Sequence, residues 1–277
     1  MKIGCIGQGF VGKNFADDLE NRGYNVVRYS LEDEHILNKE LIKDCDVVFI
    51  AVPTPTTPQG FDYSVAEEVI EFVSDGSIAV IKSTLLPGTT KKLQDLYKNK
   101  IILCSPEFLS ENTASFDASR PYVNVIGMGY DTAGHRQAAQ KVQSILPKTG
   151  HNFIVSSGAA ELYKYAHNLN GYMRIILTNL LYDFGEQHDI DWSDVKSMID
   201  SDMMMSPYYN KPIHKNGRGA GGNCFIKDMA AFRHAYATLL PEDKKGRAVL
   251  QSLENKNVEL LNGTNKSSAI IKQVYGG

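Results

Sequence analysis

The stretch IGCIGQGFVGKNFADDL, residues 3–19, decides the fold of the first half of the chain. A short apolar strand leads directly into a glycine pattern formed by Gly7, Gly9 and Gly12, after which the sequence becomes helical. In such a pattern the first glycine makes a tight turn, the second lets the backbone approach a pyrophosphate, and the third allows close packing of helix on strand. The helix N-terminus would add N–H groups and the positive end of its dipole. A plain structural turn is the alternative, but the strand before it and the helix after it favour a dinucleotide site.

Outward from this stretch, short apolar runs alternate with helical patterns, as is typical of a mostly parallel sheet. The predicted strands of this half are residues 3–6, 25–29, 46–52, 78–81, 101–104, 123–126 and 151–156. The predicted helices between them are residues 11–21, 65–73 and 132–146. The pattern therefore indicates an α/β fold with a Rossmann-like, doubly wound sheet.

From about residue 156 the pattern becomes helical throughout. Residues 156–190 read as one long helix, with Glu161 in its favourable first turn. Further helices are predicted at residues 192–200, 228–240 and 246–261. We therefore predict a dinucleotide-binding domain over residues 1–155 and an all-α domain over residues 156–277.

Composition excludes several functional classes. The 277 residues are 43% hydrophobic and 22% charged, as expected for one or two globular domains, and the net charge of −3 gives no basic field for nucleic acid. No apolar run approaches the roughly 20 residues of a membrane span, and the first residues enter a strand rather than a secretory signal. The four cysteines lack the spacing of disulfide frameworks or zinc sites, so we expect no metal and a reducing cytoplasm.

The second strand bears on which dinucleotide binds. An NAD site usually has an acid near its end, to accept hydrogen bonds from the ribose hydroxyls. Here that position is Ser30, with Arg28 close by, while Glu32 and Asp33 come slightly late. Serine and arginine would tolerate a 2′-phosphate, so NADP stays open, and NAD is favoured if Glu32 or Asp33 turns back.

Four short stretches carry groups with chemistry. They are KSTLLPGTT (82–90) with Thr84, SPEFLSE (105–111) with Glu107 and Glu111, the pair Lys164 and Asn168, and GGNCFIKD (221–228) with Cys224 and Asp228. Residues four apart share one face of a helix, so each pair would project together if its segment is helical. Each stretch alone is more typical of a solvated surface, and a lone cysteine of a packed apolar residue. Together, beside a dinucleotide fold, they supply the groups for acyl-enzyme chemistry coupled to hydride transfer.

These stretches, with GQGFVG and FIAVPTPT, resemble the UDP-glucose/GDP-mannose dehydrogenase family over most of the chain and in the same order. Members oxidise the primary alcohol of a nucleotide sugar to a carboxylate, with two NAD and a covalent cysteine intermediate. The resemblance implies that Cys224 is the nucleophile and that Lys164 and Asn168 stabilise alkoxide and oxyanion charge. It implies that Asp228 holds water or takes a proton. The remaining catalytic residues would be Glu107 or Glu111, acting on the water that hydrolyses the thioester, and Thr84, assisting through its hydroxyl.

The resemblance also implies ligand contacts. Cofactor contacts would come from Gly7, Gly9, Phe10, Val11, Gly12, Ser30, Pro53, Thr54, Thr84 and Lys227. Substrate contacts would come from Phe108, Leu109, Lys164, Asn168, Arg218 and Gly221. Lys164 and Lys227 would favour the thiolate of Cys224.

The chain also departs from the family. Arg218 and Ala220 stand where aromatic residues usually line the sugar pocket, so the reaction type is better predicted than the sugar. The family has a third, C-terminal domain, and we expect the residues after 265 to be too few to form it. The long helix and GRAVLQSLENKNVELLNG (246–263) resemble the dimer-forming core, so a homodimer is expected.

Two other functions stay open at this level. A two-electron dehydrogenase of the β-hydroxyacid type would also use a dinucleotide domain, a helical domain and the Lys164/Asn168 pair, but has no need of Cys224. A non-catalytic nucleotide-binding relative would keep the fold without the reaction. Retention of every candidate catalytic residue opposes that second alternative.

Overall fold

The computed structural model describes residues 1–32 and 34–276. Nine strands are formed in this part of the chain: β1 (Lys2–Ile6), β2 (Asn25–Tyr29), β3 (Val47–Ile50), β4 (Thr56–Thr57), β5 (Gly60–Phe61), β6 (Ile78–Ile81), β7 (Ile101–Cys104), β8 (Asn124–Met128) and β9 (Asn152–Ser156). Ten α-helices accompany them: α1 (Phe10–Asn21), α2 (Ser64–Ile70), α3 (Thr89–Leu96), α4 (Ala114–Ser119), α5 (Ala133–Ile145), α6 (Ser157–Glu186), α7 (Trp192–Ser201), α8 (Asn223–Leu239), α9 (Lys244–Asn262) and α10 (Ser268–Tyr275). A 3₁₀ helix covers Ile36–Asp44.

Seven strands form one sheet in the order β2-β1-β3-β6-β7-β8-β9. All neighbours are parallel except β7 and β8, so β8 and β9 run opposite to the other five. Every residue of β3 and β6 is buried, as is typical of strands covered on both faces. The predicted mostly parallel, doubly wound sheet is confirmed.

The chain divides into two compact units. The first unit comprises Met1–Thr54 and Asp62–Lys164, and holds the seven-stranded sheet. The second comprises Pro55–Phe61 and the chain from Tyr165 onward. The predicted domain limits, 1–155 and 156–277, stay a prediction.

The second unit is helical apart from the short antiparallel hairpin of β4 and β5. One of its apolar clusters joins Ile226 and Ala230 of α8 to Leu261 of α9 and Ile270 of α10. Another joins Tyr172 and Ile176 of α6 to Ala220, just before α8, and Met229. Among the residues described, none of the helices combines the length and hydropathy needed to cross a membrane.

Several helices differ from their predicted limits. Helix α8 begins at Asn223, five residues before its predicted start at Asp228, because the glycine turn leads into the helix without a capping side chain to mark it. Helices α3, α4 and α10 were not predicted. Glu161 lies beyond the first turn of α6, since that helix begins at Ser157.

Candidate active site

The glycine turn before α1 has little room for side chains. Gly7 has φ +87°, and a Cβ there would lie 2.3 Å from the backbone O of Ala51. A Cβ on Gly12 would lie 1.9 Å from the backbone O of Gly7, whereas one on Gly9 would meet nothing within 4 Å. Only Gly9 therefore faces open space, directly beside the N-terminal N–H groups of α1, which begins at Phe10. Open space next to such groups suits an anion such as a pyrophosphate.

The loops that follow β3 and β6 are bonded to each other. The hydroxyl of Thr54 donates to the backbone O of Thr84 at 2.9 Å, and Ser83 exchanges hydrogen bonds with both backbone groups of Val52. Thr54 is buried, while Pro53 beside it is exposed. These loops lie at the carboxyl ends of neighbouring parallel strands, where ligands of open α/β sheets bind. Thr84 is thus held by its main chain, and its hydroxyl is not used for that contact.

At the end of β2, the serine and the arginine that could admit a 2′-phosphate both have protein partners. The N–H of Glu32 donates to the hydroxyl of Ser30 at 3.3 Å, and Asp33 lies outside the described residues. Arg28 forms ion pairs with Asp17 at 2.7 Å and Glu20 at 2.6 Å. An arginine already paired with two carboxylates is not a ready partner for a 2′-phosphate.

The buried Lys164 and the partly buried Glu107 form a charged pair in the first unit. The Nζ of Lys164 donates to the backbone O of Glu107 at 2.5 Å and lies 3.5 Å from its Oε1. The other oxygen, Oε2, accepts from the N–H of Leu109 at 2.6 Å. Lys164 also lies 5.0 Å from the ring centroid of Phe108. The carboxylate is therefore fixed in direction, with one oxygen towards a cation.

The segment that carries Glu107 and Glu111 does not turn helically, so the condition for their alignment on one face is not met. Residues 105–110 do not form a helix, because the carboxylate of Glu107 takes the N–H of Leu109 that a helix would use. Glu111 lies in the exposed turn that precedes α4. Glu107 is thus the better placed of the two to act beside Lys164.

Lys82, at the carboxyl end of β6, is a second buried cation that sequence reasoning did not single out. Its Nζ donates to the backbone O of Ser105 at 3.0 Å and lies 4.7 Å from the ring centroid of Phe15 on α1. Burial lowers the pKa of Lys82 to about 8, although the charge of Glu107 acts in the opposite direction. Its position in an otherwise apolar strand end was the available signal.

Glu161 also has a role that the sequence did not reveal. Its Oε2 accepts from the N–H of Gly88 at 2.6 Å, and its Oε1 accepts from the N–H and hydroxyl of Thr90 at 2.8 and 2.6 Å. The carboxylate therefore caps α3 instead of interacting with the dipole of its own helix. Burial raises the pKa of Glu161, although these hydrogen bonds act against that shift.

Cys224 is the second residue of α8 in the second unit, and it is exposed. Cys5, Cys45 and Cys104 are all buried. Burial raises the pKa of Cys5 and Cys104 to about 12 and that of Cys45 to about 11, which keeps these thiols protonated and inert. An early helical position instead places Cys224 at the positive end of the helix dipole.

Asp228 lies one turn after Cys224 and is almost completely buried, with 1% exposed. Its Oδ2 accepts from the Nδ2 of Asn168 at 2.6 Å, and its Oδ1 pairs with Lys227. Cys224, Lys227 and Asp228 share a face of α8 because they are three and four residues apart. The structure thus brings together four of the predicted residues of the second unit.

The turn before α8 is fixed from α9 and the segment that follows it. The buried amide of Asn257 accepts from the N–H of Ala220 at 2.6 Å and donates to its O at 3.0 Å. Ser267 accepts from the N–H of Gly222 at 3.1 Å, and Lys266 donates to the O of Gly219 at 2.9 Å. These residues are some 37 to 47 positions away in sequence, so no local pattern could have indicated them.

Arg218 and Gly221, the predicted substrate contacts near α8, have protein partners. The guanidinium of Arg218 donates to Asn179 Oδ1 at 2.7 Å and to Asp183 Oδ1 at 2.5 Å. A Cβ on Gly221 would lie 2.7 Å from the hydroxyl of Ser267, so this residue must be small. Their contact with a substrate stays a prediction.

Two family models match the chain. The UDP-glucose/GDP-mannose dehydrogenase family, NAD binding domain, matches residues 34–145, and the central domain of the same family matches residues 158–256. Among relatives, the Bacillus subtilis protein YtcA is 34% identical over 85% of this chain and 63% of its own length. The UDP-glucose 6-dehydrogenase AglM of Haloferax volcanii is 26% identical over 83% of this chain and 64% of its own length. The chain thus spans less than two thirds of these relatives.

Solved structures share the fold. A UDP-glucose dehydrogenase from Pyrobaculum islandicum superposes with a TM-score of 0.79 at 23% identity, over 93% of this chain and 68% of that one. The 3-hydroxyisobutyrate dehydrogenase of Mycobacterium tuberculosis superposes with a TM-score of 0.71 at 13% identity, over 97% of both chains. The fold alone therefore does not distinguish between dehydrogenase types, and the residues at the site must do so.

Proposed function

Because the chain belongs to the UDP-glucose/GDP-mannose dehydrogenase family, we propose that it oxidises the primary alcohol of a nucleotide sugar to a carboxylate. The oxidation uses NAD in two successive hydride transfers, with a thiohemiacetal and then a thioester on Cys224. It removes four electrons in all, and the second half of the reaction adds the oxygen of one water molecule.

The observation that carries this proposal is the setting of Cys224. It is exposed near the start of α8, while Lys227 and the buried Asp228 follow within one turn. The three other cysteines are buried and held as thiols. A two-electron dehydrogenase needs no nucleophile, so this arrangement favours the four-electron reaction.

The first oxidation needs a proton acceptor and a group that stabilises the alkoxide. Lys164 and Asn168 supply a cation and an amide one helical turn apart on α6. Both are buried, and Asn168 is oriented by its hydrogen bond to Asp228. We assign the stabilisation of alkoxide charge to these two residues. Asp228 would take the proton or hold an ordered water.

The second oxidation needs a tetrahedral hydride donor, which the thiolate of Cys224 makes by adding to the aldehyde carbon. Hydride loss leaves a thioester, and water then attacks its carbonyl carbon, displacing the thiolate and giving the acid. We propose that Glu107 accepts the proton of this water, because its carboxylate is fixed by the N–H of Leu109 and faces Lys164. Thr84 assists through its hydroxyl, and Glu111 is the weaker candidate because it lies in an exposed turn.

The residues around the glycine turn fit the cofactor. NAD accepts the hydride when bound. The open space at Gly9 and the N-terminal N–H groups of α1 would hold its pyrophosphate, with Phe10 and Val11 contributing their N–H groups. Pro53, Thr54 and Thr84 lie in the loops where such a ligand would pass.

The experiment that tests this function counts NADH formed per substrate consumed, across a panel of UDP-, GDP- and dTDP-sugars. We expect two NADH for each molecule of the accepted sugar nucleotide, with an acid as product. One NADH and a carbonyl product would instead support a two-electron dehydrogenase. No turnover with any sugar nucleotide would support a non-catalytic relative.

We further propose a homodimer formed through α6. Met173, Leu177, Leu180, Leu181 and Phe184 follow the spacing of one helical face and are each 44–66% exposed. A stripe of this kind is more typical of an interface than of a solvated surface. Light scattering after size exclusion should show that the wild type is a dimer and that Leu177→Asp is a monomer. Met198→Asp, at an exposed position of α7, is the control and should stay a dimer. A monomeric wild type would contradict the proposal.

A further inference from the structure

Arg28 is the natural residue to bind a 2′-phosphate at the end of β2. Arg28 is the last residue but one of β2, which ends at Tyr29, and Ser30 follows the strand directly. Ser30 occupies the place where an acid usually receives the ribose hydroxyls. A free arginine beside a serine would therefore favour NADP.

In the structure, however, the guanidinium of Arg28 is occupied. It forms a two-point pair with Glu20, from Nε to Oε1 at 2.8 Å and from Nη2 to Oε2 at 2.6 Å. Nη2 also donates to Asp17 Oδ1 at 2.7 Å, and Nη1 donates to Gln8 Oε1 at 3.3 Å. The side chain is only 14% exposed, and its pKa is raised by the hydrogen bond to Glu20. Paired, planar contacts of this type are among the strongest that arginine makes.

The charges around this pair do not leave a positive site. The Nζ of Lys13 lies 2.8 Å from Asp17. Two cations, Lys13 on α1 and Arg28 on β2, therefore face two carboxylates of α1, Asp17 and Glu20. Glu32 and Glu34 line the same groove and add negative charge, and His35 beside them is charged only when protonated. A phosphomonoester carries about two negative charges at neutral pH, so it would be repelled here.

We propose that Asp17 and Glu20 determine cofactor specificity, because they occupy Arg28 and so reserve the ribose site for the 2′-hydroxyl of NAD. The inference rests on the proposed dinucleotide site at the glycine turn. It assigns a function to two carboxylates of α1 that the proposed catalytic steps do not use. Neutralising one carboxylate would free Arg28 in part to bind a 2′-phosphate, and neutralising both would free it more fully.

The test measures the dissociation constants of NADH and NADPH by titration calorimetry, so it does not depend on turnover. We expect the wild type to prefer NADH, and Asp17→Asn/Glu20→Gln to bind NADPH at least about tenfold more tightly than the wild type does, since charge-assisted pairs are strong. Adding Arg28→Gln to that variant should remove the gain. Asp131→Asn, which breaks a remote exposed ion pair with Arg136, serves as the matched control and should change neither constant.

Two results would overturn the inference. One is a wild type that binds NADPH as tightly as NADH, and the other is an unchanged NADPH constant in a folded Asp17→Asn/Glu20→Gln variant. Glu20→Gln alone should give an intermediate gain, which keeps the test valid if the double variant does not fold. Either failure would leave the proposed oxidation intact, whereas a wild type that binds neither dinucleotide would refute the cofactor site itself.

Discussion

Helices α1 and α8 both begin directly after a glycine, but the two starts differ in structure, and the proposed function assigns ligand binding to the first and catalysis to the second. Within the described residues, neither start has a capping side chain or an acid in its first turn. Helices α5, α7 and α9 are instead capped by Thr132, Asp191 and Asp243. At α1 the space beside Gly9 is open. At α8 the preceding turn is fixed by Asn257 and Ser267, and the second helical residue is Cys224.

The N-terminus of a helix can thus either bind a charged ligand or stabilise a charged side chain of the protein. A helix N-terminus stabilises negative charge whether that charge belongs to a ligand or to a side chain. An open start is suited to admit an anion from solution. A start with a fixed turn is suited to hold one of the chain's own atoms in a constant position.

The largest expected effect comes from Cys224, the proposed nucleophile near the start of α8. Cys224→Ser should lower acid formation by at least about a thousandfold, because the hydroxyl does not form the covalent intermediate at neutral pH. Product analysis by chromatography checks this, with Cys45→Ser as the control for a buried cysteine. Acid formation at the wild-type rate would contradict the covalent mechanism, and the start of α8 would then have no catalytic role.

The next effect concerns the buried cation that packs against α1 through Phe15. The pKa of Lys82 is lowered to about 8 in the folded state, so between pH 8 and its ordinary value the unfolded chain binds more protons. Stability of the wild type relative to Lys82→Met should therefore rise with pH across this window, by about 3 kcal/mol, whereas below pH 8 the cost of the buried charge is fully present. Urea unfolding at pH 7 and pH 10 measures it. If the difference in free energy of unfolding between the wild type and Lys82→Met is the same at both pH values, the pKa of Lys82 is not lowered by burial and the prediction is wrong.

Two glycines of the first start should behave in opposite ways. Gly12→Ala should lower the free energy of unfolding by about 2–3 kcal/mol, because its Cβ would meet the backbone O of Gly7. Gly9→Ala should leave stability almost unchanged, since nothing lies within 4 Å, yet weaken NADH binding. Thermal melts and calorimetric titration distinguish the two. Equal loss of stability in both variants would mean that Gly9 is also a packing residue.

The smallest expected effect concerns the fixed turn of the second start. Asn257→Ala should cost about 2 kcal/mol of stability, because both backbone groups of Ala220 would lose their partner. We also expect kcat to fall more than KM rises, since the position of Cys224 depends on this turn. The exposed Asn255→Ala on the same helix is the control. A normal kcat in Asn257→Ala would show that the turn needs no support from α9.

The sequence predicted the sheet well and the catalytic surroundings less completely. Strands such as β3 and β6 could be predicted because their residues are continuously apolar, and in the structure every one of those residues is buried. The start of α8 was missed, since two glycines and an asparagine are typical of a loop as much as of a helix start. Glu107 and Glu111 were paired by spacing, but a hydrogen bond within the segment prevents the helical turn that would align them.

Residues that act over long sequence separations were the hardest to predict. Asn257 and Glu161 each bond backbone groups more than 30 positions away, so only the fold reveals them. The sequence indicated that Arg28 lies close to the position of Ser30, whereas the structure shows that it is paired with Asp17 and Glu20. A charged side chain near a ligand site can be bound by its neighbours, and its type alone does not show whether it is available.

The capping of α3 by Glu161 has a consequence for the exchange of amide hydrogens with solvent. Amides in the first turn of a helix usually exchange rapidly because they have no partner within the helix. Those of Gly88 and Thr90 are instead bonded to the buried carboxylate of Glu161, which belongs to the second turn of α6. Their exchange should require the start of α6 to detach from the loop after β6, so these two hydrogens report how often that local opening occurs.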